Sequence, residues 1–313
     1  MSIFGCKIAL DVTDETGWSL DGQSRICNNL YNKLLEQANH LVAQYAQSDG
    51  QDKQAAQTVY SKRGLRDLVP GLKKDHPYYR AVYSSPLKNT AFRLRRAIKA
   101  HQDYKQGKRK DEVGWPGFRS WKKKWFSLEY DEPWKGYALA GRSLTLSLGV
   151  NQAGKRLRVK GRLKERLPHP AHQVKALRLV KEMGQFYAVF TIDDKAKSPL
   201  VTARRMAYID PNHKNLGYLF DLTGKAIEID NMPTLKTLDR RIDELKGKRD
   251  RCQRQSQLVT FAREDGSLHQ HWKPSRRWRR YNQSLERLTR LRREQTKTFL
   301  FTLAKACLES TTW

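Results

Sequence analysis

Between Arg142 and Ile192 the apolar residues alternate instead of recurring at helical spacing. Leu144, Leu146 and Leu148 fall on one face, a turn runs through Asn151 to Gly154, and a second run carries Leu157 and Val159. Side chains that alternate this way share a face only in a strand, so the stretch reads as a hairpin. Val174 to Val180 and Phe186 to Ile192 bracket another turn at Gly184. At least four short strands result, with Ile3 to Leu10 as a fifth, consistent with a small barrel into which the intervening helices are inserted.

The helical pattern begins at about Ser24, where Ile26, Leu30, Leu34 and Leu35 recur at helical spacing and Asn28, Asn29 and Asn32 share the same helix. Gly64 to Tyr79 is interrupted by Pro70, Gly71 and Pro77. Leu87 to Tyr104 resumes a helix whose exposed positions are expected to be basic: Lys88, Arg93, Arg95, Arg96 and Lys99. Gly114-Trp115-Pro116-Gly117-Phe118 then leads to Trp121, to Lys122, Lys123 and Lys124, and to Trp125. Aromatic rings interleaved with lysines suit base stacking beside a held backbone, and a tryptophan-rich core edge next to a solvated lysine run fits equally well.

Charge narrows the function. The chain has 61 Lys+Arg against 32 Asp+Glu, a formal net charge of +29. Residues 1–50 are mildly acidic, while 51–130 sum to +13, 131–200 to +8 and 201–313 to +11. So wide a spread favours a long polyanion over one small patch, although a generic basic RNA-binding surface fits the number too. No apolar run is long enough to span a membrane and no signal peptide is recognised, so a soluble, intracellular chain is expected. Cys6, Cys27, Cys252 and Cys307 lie too far apart for a zinc ribbon, and no zinc is expected; His269 and His271 read as part of a polar loop.

From about Arg204 the pattern changes. Met206 to Asp210 reads as an apolar strand ending in a carboxylate, Leu216 to Phe220 as a second strand and Ala226 to Ile229 as a third. Three antiparallel strands with an acid on the first open a ribonuclease H-like fold; a strand-end Asp capping a turn is the plainer alternative for Asp210. A helix with Leu235, Leu238, Ile242 and Leu245 follows, then a polar stretch from about Arg249 to Pro274, then a long helix. Trp278, Tyr281, Leu285 and Leu288 mark the apolar side of that helix, and Arg276, Arg277, Arg280 and five further arginines crowd the rest. An antiparallel helical hairpin, cationic outside, is expected.

These segments, taken in order, resemble the TnpB or OrfB-type transposase family of transposon-encoded RNA-guided nucleases, relatives of type V CRISPR effectors. Arg25 to Asn32 is similar to the family's early Asn-bearing helix, and Pro86 to Ala97 to its basic recognition helix. Gly117 to Leu128 is similar to its aromatic-lysine segment, and Phe186 to Phe190 to the strand before its nuclease domain. Most specific is Ile209 to Gly217, similar to the first RuvC motif, with Asn212 where the family has Gly and His213 before Lys214.

The resemblance implies an α+β multidomain fold. A wedge β-barrel over 1–20 and 113–200 would carry an inserted helical recognition domain at 21–112. Residues 201–313 would form a partial RNase H-like RuvC domain with a long helical hairpin. It implies a guide RNA and double-stranded target DNA as partners, with pairing supplying the specificity. Asp210 becomes the catalytic and Mg²⁺-binding candidate. The nucleic-acid-binding candidates are Lys88, Asn89, Arg93, Arg96, Lys122, Lys123, Lys124, Arg276, Arg277 and Arg280. The second and third RuvC motifs and the zinc-ribbon cysteines are not found in these residues. One carboxylate does not hold two metal ions, so no DNA cleavage by this chain alone is expected and Mg²⁺ binding is in doubt. A missing C-terminal polypeptide, a degenerate open reading frame or an unstable fragment would each account for that. The alternative function is a non-enzymatic RNA-binding or guide-directed, repressor-like DNA-binding protein.

Overall fold

The structure, a computed structural model, describes residues 2–120, 125–151, 153–194, 208–211, 217–220, 226–229, 233–253, 256–262 and 268–309. The chain divides into two compact units, Met1–Lys197 and Ser198–Trp313.

In the first unit, strand β1 (Ser2–Asp11) leads directly into helix α1 (Asp14–Gln47). The helix starts ten residues earlier than the apolar spacing indicates, because Thr13 caps it by accepting from the Thr16 backbone N–H and Asp14 and Glu15 sit in the positive first turn. Leu20, Cys27, Leu30, Tyr31, Leu34, Leu35 and Ala38 form its buried stripe at intervals of three, four and seven. Three short helices follow, α2 (Lys53–Tyr60), α3 (Gly64–Asp67) and α4 (Val69–Asp75), with a 3-10 turn at Pro77–Ala81. Pro70 lies in the first turn of α4, where a missing N–H costs nothing. Helix α5 (Ser84–Lys105) buries Leu87, Ala91, Leu94 and Ile98.

Six strands complete this unit: β2 (Ser127–Tyr130), β3 (Tyr137–Ala140), β4 (Ser143–Val150), β5 (Arg156–Leu163), β6 (Val174–Glu182) and β7 (Gln185–Asp194). The sheet order is β2-β6-β7-β1-β5-β4-β3, antiparallel throughout. Strand β1 pairs with β7 from Ser2 to Leu10, yet meets β5 only at Leu10 and Asp11. The sheet therefore curls at β1, and among the described residues β2 and β3 remain edges. The expected barrel is a seven-stranded half-barrel. One core joins sheet and helices: Leu10, Leu144, Leu146, Leu177 and Phe190 from the strands meet Leu30, Leu34, Leu87 and Leu94 from α1 and α5. Each such buried side chain contributes about 1.5–3 kcal/mol relative to exposure.

In the second unit, β8 (Tyr208–Pro211), β9 (Gly217–Phe220) and β10 (Ala226–Ile229) form an antiparallel sheet in the order β10-β9-β8. The three-strand meander expected from the sequence is present, with β8 at its edge and Asp210 opposite Tyr218. Helices α6 (Pro233–Gln253) and α7 (Arg276–Glu309) pack on one another, with Leu238, Ile242 and Leu285 buried. Arg292 grips Asp239 through both carboxylate oxygens, one at 3.1 Å. Asp239 lies fourteen residues before the end of α6 and Arg292 sixteen after the start of α7, the pairing that an antiparallel hairpin would make.

The stretch between these helices contains a β-ribbon, β11 (Gln257–Ala262) paired with β12 (Leu268–Lys273), so His269 and His271 belong to a strand and not to a polar loop. Among the described residues no helix is long and apolar enough to cross a membrane.

Candidate nucleic-acid interface

The polar side of α1 fastens a distant segment. Ser24 Oγ and Asn28 Nδ2 donate to the Trp125 carbonyl at 3.0 and 2.8 Å. Asn32 donates to the Arg119 carbonyl at 3.0 Å and accepts from the Arg119 N–H at 2.8 Å. Further along, Asn39 Oδ1 accepts from the Trp115 indole at 2.9 Å. Side chains four apart on a helix stand one above another, so Ser24, Asn28 and Asn32 make a polar ladder that replaces a missing strand partner for this extended segment. The ladder pins the residues on both sides of Trp121 to Lys124, and those four lie outside the described residues. Trp115 packs against the core, whereas Phe118 and Trp125 are 61% and 50% exposed.

Arg119 is held within this frame. Its guanidinium stacks 3.8 Å from the Tyr31 ring and donates to Asn28 Oδ1 at 2.8 Å. Arg93, on α5, is an electrostatic neighbour of Arg119. Burial, first of all, lowers the proton affinity of both guanidiniums, and for Arg119 the second cause is the positive charge of Arg93. Glu129 is the acid near them, and it approaches Arg93 and Arg96 only to 4.0 Å each. Arg178 adds a further positive charge at Arg93. Cys27 cannot compensate, because burial pushes its thiol up to about 11 and keeps it neutral.

The remaining candidates on α5 are partly engaged. Lys88 binds Asp131 at 2.8 Å and lies 3.7 Å from Glu132. Burial works to raise the Asp131 carboxyl, but hydrogen bonds from Lys88 and Ser85 prevail and hold it below its ordinary value. Asn89 is 5% exposed and donates to the Glu129 carbonyl at 3.2 Å, so it ties α5 to β2. Arg95 donates to the Ser61 and Tyr60 carbonyls at 2.9 and 2.6 Å, closing the end of α2. The expected row of exposed cations on α5 is therefore selective: Arg96 is 67% exposed, Arg93 only 24%.

The structure thus gathers Lys88, Arg93 and Arg96 along the edge of β2 and adds Arg119 and Arg178, which sequence reasoning had not singled out. Arg276, Arg277 and Arg280 are exposed on α7, in the other unit. Asp210 stands in β8, and its side chain lies outside the described residues. Among the described residues no three His, Cys, Asp or Glu side chains gather as a metal site.

No protein-family model matches the sequence, and no curated protein matches it. Solved structures with a similar course include a Cas12f1–sgRNA–target DNA complex, at TM-score 0.47 and 12% identity, covering 94% of this chain and 63% of that one. A CRISPR-Cas12f ternary complex aligns at TM-score 0.28 and 13% identity, over 77% of this chain and 56% of the other. The chain spans less than two thirds of the length of either. At these scores neither likeness transfers a residue role or an activity.

Proposed function

We propose that this chain holds a guide RNA and the double-stranded DNA that the RNA pairs with, in the manner of the TnpB family, and that it does so by arginine binding to phosphate backbones. The observation that carries the reading is the Arg93–Arg119 pair. Two half-buried guanidiniums repel one another electrostatically, and the ion pair of Arg93 with Glu129 is long, at 4.0 Å. A buried charge without a close counter-ion is costly, and a phosphodiester supplies one in the fork geometry that guanidinium prefers.

The formal charge of +29 and the exposed rings of Phe118 and Trp125 support the same reading, the first through backbone attraction and the second through base stacking. So does the resemblance of Ile209 to Gly217 to the first RuvC motif. Lys88, Arg93, Arg96 and Arg119 line this contact, and Asn89 positions α5, which carries the first three; Lys122 to Lys124, outside the described residues, and Arg276, Arg277 and Arg280 of the other unit are further phosphate-binding candidates. The side chain of the metal candidate Asp210 lies outside the described residues, so no metal-dependent step is derived, and the role proposed is guided occupancy of DNA.

The test is competition filter binding at about 0.15 M salt, using RNA transcribed from the flank of the chain's own reading frame against random RNA of equal length. The flanking RNA is expected to win by about tenfold or more, because phosphate contacts alone are blind to sequence. Equal affinities would leave a sequence-blind RNA binder and remove guidance.

A further inference from the structure

The outward face of β5 carries Arg156, Arg158, Lys160 and Arg162 at every second position, all exposed, while Val159 and Leu163 turn to the core. Alternation in a strand sets neighbouring cations about 6.8 Å apart, so the row is about 20 Å long. Beside it on β4, Ser143, Thr145 and Ser147 stand directly across from Arg162, Lys160 and Arg158.

Three features separate this row from ordinary surface charge. First, the lysines elsewhere on the sheet are paired, Lys7 with Glu182 at 2.5 Å, Lys175 with Asp193 at 3.4 Å and Lys181 with Asp21 at 2.7 Å, and Arg178 on β6 stands in register with Glu129. The four on β5 have no ion pair among the described residues; Asp11, in register with Arg162, is 3.8 Å from Lys164. Secondly, the row runs on along β4 well past the short contact with β1, which pairs only Arg162 and Leu163 of β5, so it offers a long ligand more than one isolated charge. Thirdly, no aromatic side chain of β4 or β5 accompanies them, which removes base stacking and leaves the backbone as the matching partner.

We infer that the outer face of β4 and β5 is a track for the phosphodiester backbone of one nucleic-acid strand. Arg156, Arg158, Lys160 and Arg162 take successive phosphates, and Ser143 and Thr145 supply neutral hydrogen bonds at its margin. The track deepens the proposed function but rests only on its nucleic-acid half. It reads no sequence, and it therefore survives if guidance fails.

The test uses the full chain and single-stranded 20-nucleotide RNA and DNA of the same random sequence, with affinity measured across a salt series. Replacing Arg156, Arg158, Lys160 and Arg162 together with alanine is expected to lower the slope of log affinity against log salt by about 3, near 0.7 for each lost contact. Replacing Lys53, Lys62, Arg63 and Lys74, which are exposed elsewhere, is expected to change it by less than about 1. The charge-retaining triple substitution Arg156→Lys, Arg158→Lys and Arg162→Lys keeps the slope, which separates charge from folding. A loss on RNA alone assigns the track to an RNA strand, and a loss on both assigns it to either backbone. A quadruple alanine variant with the parent slope on both polymers, or a control set that loses as much, overturns the track.

Discussion

Gly149→Ala is expected to destabilise the Met1–Lys197 unit by about 3 kcal/mol, as overpacking against an unyielding neighbour does. Gly149 sits in the irregular stretch of β4 between Ser147 and Val150, where the register with β5 shifts. A Cβ there would lie 1.9 Å from the Arg80 carbonyl oxygen, 2.4 Å from the Ala81 carbonyl carbon and 2.6 Å from the Val82 nitrogen. All three are backbone atoms of the turn that leads into α5, so no rotamer change relieves the clash. At about 2–4 °C per kcal/mol for a unit of this size, melting followed by circular dichroism should fall by about 10 °C. Gly22→Ala is the contrasting case: it lies inside α1 with nothing within 4 Å of the added carbon. That change is expected to raise stability by about 0.5–1 kcal/mol. Equal melting of Gly149→Ala and the parent would contradict the packing of β4 against the 80–82 turn.

Arg93→Met is expected to separate binding from stability. Its guanidinium is 24% exposed, approaches Glu129 only to 4.0 Å, and has Arg96, Arg119 and Arg178 as positive neighbours. An apolar side chain of similar length removes a desolvated charge and its repulsions, so folding stability should hold or rise by about 1 kcal/mol. RNA affinity, in contrast, should fall about tenfold, the scale of one charge-assisted phosphate contact. Such a split is what a charge retained for an anionic ligand produces. If Arg93→Met lost stability and kept its affinity, Arg93 would be a structural residue of the α5–β2 contact.

Much of the first unit is legible from local pattern. The alternation of Leu144, Leu146 and Leu148 marks β4, and Ile3 to Leu10 lies within β1. Leu87 to Tyr104 lies within α5, and in the second unit Ala226 to Ile229 coincides with β10. Strands β2 and β3 escape this reading: β2 pairs with β6, far along the chain, and β3 joins β4 across a turn at Gly141 and Arg142 that lies before the alternating run. The early start of α1 depends on the Thr13 cap and not on apolar spacing. The ribbon β11–β12 mixes apolar and polar residues without a sustained alternation, so no strand period stands out in a hydropathy reading.

The site is less legible for a different reason. Asn28 and Asn32 stand out on α1, but their partners Trp125 and Arg119 are 97 and 87 residues away, and no local rule connects them. The electrostatic influence of Arg93 on Arg119 is hidden in the same way, since one lies on α5 and the other on the fastened segment. The basic row of β5 was readable in principle, since Arg156, Arg158, Lys160 and Arg162 alternate with Leu157, Val159, Gly161 and Leu163. Which side of the strand faces the core decides its meaning, and that follows only from the register with β1 and β4.

The central claim is that RNA lies along the segment fastened by the polar ladder of α1. Photo-crosslinking of the full chain to RNA carrying 4-thiouridine, followed by peptide mapping, tests it most directly. Crosslinks should concentrate on residues 113–125, at Phe118 and Trp125 above all, and should be lost when excess unlabelled RNA competes. Crosslinks confined to other segments, with residues 113–125 unmodified under saturating RNA, would contradict the account.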